Sequence, residues 1–399
     1  MKSLLFVAAT SLTAACSWSQ FDDLADSTTV RAAEKPDGVK ATEYGTSIAG
    51  CTLPGETSGG KIAVLSSGSG NYSTLKLDPG GVAQDLGDNE TLGVHTIDSV
   101  TPKGVVLFDG VGQVALIDNS NVQTVVAITG TPDALGADIQ IPTPAAPDAT
   151  AFVNGRVVVG VTTTATSPTN ANVFSKTQDG VTSCLLTDGT AAAVSPAAVA
   201  IDASTLWIYA KSGALFSYTL AALDACVSTG MTTVTVVAPN PGTIAGPPAA
   251  NLGHLDIASD GSSKYAILTA YDTALTTTGM VEVVNITTAS APVMVATAAA
   301  PGVHAATYDT FDGAGVLVLG YPSRADGSTA GAGAVDLHTF SGGTFSTTAS
   351  ETLSIPTSDS NHLFGRAVTT TRYNGKPIVV VAADNVVYSF YQTALYAKR

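Results

Sequence analysis

The sequence predicts an all-β protein: a β-propeller of about seven blades, each of four antiparallel strands. Three observations lead there. First, a rhythm of roughly fifty residues begins at Tyr44-Gly45-Thr46-Ser47-Ile48-Ala49, each pass leading into an apolar run and then a second, glycine-led run. Second, the runs are short and bounded by Gly, Asn, Asp and Pro, as hairpins require, and no useful stretch beyond the first residues has helical spacing. Third, threonine, alanine, valine and glycine dominate the chain, a composition suited to pleated surfaces and tight turns. A unit of this size cannot bury both faces of its sheet alone, and a ring of units removes that problem.

The chain opens with Met1-Lys2 and the apolar run Ser3-Leu4-Leu5-Phe6-Val7-Ala8-Ala9, and the segment closes with Leu12-Thr13-Ala14-Ala15-Cys16. A single charge before a short apolar core reads as a secretory signal over residues 1–15, too short for a membrane span. A cysteine directly after small residues resembles the lipobox of bacterial lipoproteins, although Thr13 stands where an aliphatic residue is usual. The resemblance implies lipidation at Cys16 and, because Ser17 rather than Asp follows, an outer-membrane address. Residues 16–42, with Trp18 and Phe21 near their start, are expected to form a tether, and residues 43–399 the propeller.

Blade one is expected from Tyr44 to about Gly81, with Lys61-Ile62-Ala63-Val64-Leu65 inside it. Blade two is expected to start at Leu92-Gly93-Val94-His95 and to continue through Gly104-Val105-Val106-Leu107-Phe108. Blade three carries Gly155-Arg156-Val157-Val158-Val159, and blade four Thr205-Leu206-Trp207-Ile208-Tyr209. Blade five carries Lys264-Tyr265-Ala266-Ile267-Leu268, and blade six Val316-Leu317-Val318-Leu319. The last contains Pro377-Ile378-Val379-Val380-Val381. An N-terminal strand could close the ring against the last blade, but no segment announces itself as that strand. Proline-rich loops at residues 141–147 and 239–248, with the 323–329 loop, are candidate contact sites on a rim.

Tyr44-Gly45 and Phe364-Gly365 resemble the Phe-Gly start of FG-GAP repeats. Val318-Leu319-Gly320-Tyr321-Pro322, followed by Gly331-Ala332-Gly333-Ala334-Val335, resembles the Gly-Ala-Pro portion of the same repeat. The resemblance spans about residues 43–396 and is weakest in blades three and four. It implies an integrin-alpha-like head that contacts a protein or a glycan without catalysis. It also raises the question of calcium, which many members hold in the loop between the first two strands of a blade. Asp256 and Asp260 have suitable spacing, but Ala258 occupies a ligand position and Lys264 replaces the terminal acid. A plain Asp-Gly turn is the expectation, and neither metal nor other cofactor is expected.

His95, His254, His304 and Arg366 fall near the starts of their units and are expected to line a central channel. They lie in different blades without a companion carboxylate at ligand spacing, so a metal site is not the expectation. No Gly-x-Ser-x-Gly elbow opens a helix, and Gly331-Ala332-Gly333 precedes no helix that could cradle a phosphate. Cys184 and Cys226 are expected to pair, leaving Cys51 single. The formal net charge is −15 with only 17 Lys and Arg residues, scattered along the chain. That argues against nucleic acid and against anionic lipid held by a basic patch, leaving a lipid anchor as the membrane contact. The leading reading is an envelope binding, adhesion or scaffold protein. The alternatives are a periplasmic glycan-active enzyme with acids at the channel and an outer-membrane assembly partner.

Overall fold

The computed structural model describes residues 30–34, 44–51, 61–66, 71–76, 91–96, 102–108, 113–118, 122–127, 134–135, 148–162, 171–177, 180–228, 235–240, 244–245, 252–271, 279–311, 313–325, 330–354, 363–373, 376–384 and 386–391. Apart from one short helix, Leu220–Asp224, the regular structure of these residues is β. The strands form seven sheets, and nearly every pairing in them is antiparallel.

The first sheet runs Tyr44–Cys51, Lys61–Ser66, Asn71–Lys76 and Thr91–Thr96. The second runs Pro102–Phe108, Gln113–Asp118, Val122–Ala127 and Ala134–Leu135. The third runs Ala149–Val153, Arg156–Gly160, Val173–Thr177 and Gly180–Leu186. Its outer edge also takes up Val227–Ser228 and, in parallel, Thr235–Val237. The fourth runs Pro196–Asp202, Thr205–Ala210, Ala214–Thr219 and Ile244–Ala245. The fifth runs Leu252–Ser259, Lys264–Tyr271, Gly279–Asn285 and Val293–Ala299. The sixth runs Ala305–Phe311, Ala314–Tyr321 and Ala334–Ser341, edged by Thr344–Phe345 and Glu351–Leu353. The seventh joins Ala367–Tyr373, Lys376–Ala382 and Val386–Tyr391 to an early segment of the chain, Val30–Glu34. That early strand pairs Val30 with Phe390 and Glu34 with Val386.

Two expectations need correction here. Part of the stretch expected as a tether is a strand, because Val30–Glu34 satisfies the otherwise open edge of Val386–Tyr391. The unit expected to start at Leu92 starts later: Thr91–Thr96 is the outer strand of the first sheet, paired Tyr72 to His95, and the second sheet opens at Pro102.

The opening strand of each sheet lies beside the opening strand of the next, and that of the seventh lies beside that of the first. Between neighbouring sheets sit apolar layers. Val158, Leu186, Ile208, Phe216 and Tyr218 belong to the layer between the third and fourth sheets. Trp207, Tyr209, Leu255, Leu268 and Val284 fill the next. Strand Lys376–Ala382 makes the logic plain. Val379 and Val381 pack toward the sixth sheet, while Ile378, Val380 and Ala382 pack toward the first. Side chains alternate across a strand, so a strand covered on both faces reads as one unbroken apolar run. Full burial of each such side chain contributes about 1.5–3 kcal/mol.

The segments that carried the repeat resemblance meet at the junction of the sixth and seventh sheets. Phe364 is fully buried and bridges to Gly333. Gly365 has a φ of 90°, and a Cβ there would sit 2.7 Å from the Ala334 carbonyl oxygen. A Cβ on Gly333, whose φ is 83°, would sit 2.1 Å from the Phe364 carbonyl oxygen. Both positions therefore require glycine, once for the left-handed backbone and again for the close approach.

Candidate functional site: a polar row on the opening strands and a cavity between two sheets

The opening strands present edges that neighbouring sheets do not pair by backbone ladders, so their N–H groups need other partners. Polar side chains supply them. On the fifth sheet, Asp256 Oδ2 accepts from Tyr308 N at 3.0 Å and Oδ1 from Ile257 N at 2.8 Å. His254, two residues earlier on the same face, bonds the backbone of Ala306. Burial makes His254 less basic and pushes the Asp256 carboxyl up, and each is held back by the charge of the other.

The row continues on the sixth sheet. His304 Nδ1 lies 2.6 Å from the Arg366 carbonyl oxygen, which fits an Nδ1–H donor. Burial, the nearby His254 and the Arg366 cation all make His304 less basic. Asp309 pairs with Arg372, which also donates to Thr310 Oγ1 at 3.2 Å. On the seventh sheet, Arg366 Nε donates to the Gly45 carbonyl oxygen of the first sheet at 3.1 Å, and Nη1 bonds Asp384 at 2.5 Å. Thr369 Oγ1 accepts from Gly50 N at 3.0 Å, a second tie from seventh to first. His254, Asp256, His304 and Arg366 thus form one continuous row whose bonds cross from sheet to sheet.

His95 is not part of that row. It stands on the outer strand of the first sheet, opposite Tyr72, because the segment Leu92-Gly93-Val94-His95 pairs outward with Asn71–Lys76. Asp256 and Asp260 bond different parts of the sixth sheet: Asp256 Oδ2 accepts from Tyr308 N on its opening strand, and Asp260 Oδ2 from Gly342 N at 3.2 Å in the hairpin at its outer side. Among the described residues, no group of three or more His, Cys, Asp and Glu side chains is arranged to hold a metal ion. Cys16 lies outside the described residues. So does most of each proline-rich loop and residues 326–329 of the third candidate loop. The base of that third loop is pinned: Arg324 forms a two-pronged pair with Asp336 at 2.7 and 2.6 Å and lies 3.9 Å from the Tyr321 ring centroid.

Cys184 and Cys226 form a disulfide that spans 42 residues. Cys184 is on the outer strand of the third sheet, and Cys226 follows the short helix that leaves the fourth. Arg156 pairs with Asp224 at 2.7 Å, and Thr182 Oγ1 donates to the Leu223 carbonyl oxygen at 3.0 Å, so three bonds staple this excursion to the third sheet. Replacing both cysteines by alanine is expected to reduce stability by about 2–4 kcal/mol. Urea midpoints of the oxidised wild type and the double variant test this; coincident midpoints would mean the other two contacts suffice.

A cavity of about 410 Å³ opens between the third and fourth sheets. Asp188, Ala193, Val194 and Ser195 line it from the connection between the sheets, and Ala210, Lys211, Ser212 and Phe216 from the fourth. Thr190 N and Oγ1 both donate to Asp188 Oδ1 at 2.7 Å. These bonds hold the Asp188 carboxyl below the usual carboxylate range. Lys211 Nζ turns away to Asp148 Oδ1 at 2.9 Å and Thr162 Oγ1 at 2.8 Å. Burial pushes the Asp148 carboxyl up, but the bonds from Lys211 and Thr162 outweigh it and the group stays ionised. Sequence reasoning missed this cavity, whose wall is assembled from separate stretches without a shared motif.

No protein-family model matches the chain, and no curated protein matches it. Among solved structures it is similar to the computationally designed Ika8 protein, at 13% identity and a TM-score of 0.45, over 86% of this chain and 98% of that one. So distant a likeness transfers nothing from that protein.

Proposed function

We propose that this chain is a seven-bladed β-propeller of the FG-GAP kind, held at a bacterial outer membrane by a lipid on Cys16, and that it binds a partner without performing catalysis. The observation that carries the reading is the unbroken succession of opening strands, the seventh returning to the first, with Val30–Glu34 completing the last sheet. Such a strand builds the last sheet from an early and a late segment of the chain, which ties the seventh unit back toward the first. The non-catalytic part rests on how the central charges are used. Asp256, Asp309 and Arg366 each fasten one sheet to the next. A general acid or nucleophile would need one of these groups turned to a substrate instead. Binding then falls to the loops between strands, which a rigid ring holds in fixed positions.

The test compares wild type with Cys16→Ala by protease treatment of intact cells and by fractionation. Digestion of anchored wild type, with release of the variant into soluble fractions, is the expected result. A variant that stays with the membrane as fully as wild type would overturn the anchor, and protection of the wild type would move the binding face to the periplasm.

A further inference from the structure

We propose that the cavity between the third and fourth sheets receives a basic side chain, lysine or arginine, presented by a partner protein. The inference rests on the binding-module reading and gives it a ligand chemistry. Three features of the cavity converge on that chemistry.

The first is an anion without a cation. The donors that fix Asp188, the N–H and O–H of Thr190, are neutral, so they orient the carboxylate without cancelling its charge. Among the described residues no ion pair engages Asp188. The cation that shares the cavity, Lys211, is already balanced by Asp148 and held by Thr162. The net charge offered to a visitor is therefore negative.

The second feature is an apolar wall. Ala193, Val194, Ala210 and Phe216 line the same cavity. A carboxylate beside apolar surface suits a ligand with an aliphatic stem and a cationic tip, the shape of lysine and arginine. Ser195 and Ser212 supply hydroxyl oxygens that can accept from the remaining ammonium or guanidinium hydrogens. The volume of about 410 Å³ lies in the range of small-ligand sites and holds one such side chain with water to spare.

The third feature is the field of the whole chain. A formal net charge of −15 draws cationic partners and repels acidic ones at long range. A neutral sugar would gain nothing from that field, and a carboxylate ligand would meet Asp188 as a like charge.

Ligand-observed NMR tests the proposal with the full chain, using n-butylammonium, the neutral n-pentanol, and the capped tripeptide acetyl-Gly-Lys-Gly-amide. The expected result is weak saturable binding of the ammonium and of the peptide, loss of both at high salt, and little binding of the alcohol. Asp188→Asn, which keeps an acceptor for Thr190, is expected to weaken both roughly tenfold, the worth of one charge-assisted hydrogen bond. Unchanged thermal unfolding of that variant shows that the ring is intact. Equal binding of alcohol and ammonium, or an indifferent Asp188→Asn, would overturn the charge recognition. Binding of the free amine but not of the peptide would overturn the protein partner. The two proposals fail separately: a surface-anchored chain with an unresponsive cavity sinks this one, and a responsive cavity in an unanchored chain sinks only the envelope reading.

Discussion

Replacing Arg366 by methionine is expected to lower stability by about 3–5 kcal/mol, the usual cost of removing one partner from a buried ion pair. The side chain is 9% exposed and Asp384 15%, so neither charge is well hydrated. Without the guanidinium, Asp384 loses the charge of Arg366, and the Gly45 carbonyl oxygen loses a donor that ties the first sheet to the seventh. Because a whole domain is stable by only about 5–15 kcal/mol, the loss is a large fraction of the total. The double variant Arg366→Met with Asp384→Asn is the informative companion. It removes the carboxylate charge that Arg366 balanced, so it is expected to recover much of the loss, which the coupling of a double-mutant cycle measures. Urea midpoints for the four proteins suffice. A single variant within about 1 kcal/mol of wild type would mean that the junction between last and first sheets holds without this ion pair, through its apolar layer and the bond from Gly50 N to Thr369 Oγ1.

That junction also marks how far the sequence can be read. The unbroken run Pro377-Ile378-Val379-Val380-Val381-Ala382 is legible because burial on both faces leaves no room for alternation, and its neighbours on either side then follow. Val30–Glu34 is not legible. It is five residues long, carries Arg31 and Glu34 in its sequence, and pairs with Val386–Phe390. Edge strands of that kind are selected for blunt, charged ends rather than for an apolar signature. Thr91–Thr96 misleads for a different reason. Its Leu92-Gly93-Val94 resembles the opening segments, and only the partner strand decides whether such a segment starts a sheet or ends one.

The row of polar residues was half legible. His254 and Arg366 stand out as polar residues directly after the entry glycines of their units, and His304 stands one place further on in its own. Their partners do not, because Asp256 meets Tyr308 across 52 residues and His304 meets Arg366 across 62. Asp309 and Arg372, separated by 63 residues, carry no signal of pairing except that both sit on opening strands. Spacing along the chain gives the repeat; it does not give the angle between sheets that brings these atoms together.

The acid at position 282 did carry a signal, an isolated charge in Met280-Val281-Glu282-Val283-Val284, and it leads to the second large effect. Glu282→Gln is expected to stabilise the protein above neutral pH by up to about 3 kcal/mol. Glu282 is 5% exposed, and among the described residues its Oε2 has no hydrogen-bond partner. It stands opposite Leu268 in the apolar layer that faces Tyr209. Burial pushes its carboxyl from the ordinary 4.5 up to about 7. The folded protein therefore prefers the protonated form. That preference costs nothing below pH 4.5, where the unfolded chain is protonated too. Stability falls as pH rises from there and levels off above about 7, once the folded state must also carry the charge. Glutamine keeps the shape and cannot ionise, so this fall should vanish while stability near pH 4 stays close to wild type. Unfolding midpoints of both proteins from pH 4 to 8 give the answer directly. Curves that separate only above pH 5 or so place the titration at this carboxyl; parallel curves would mean that Glu282 reaches water or a partner in the layer and is not the neutral buried acid described.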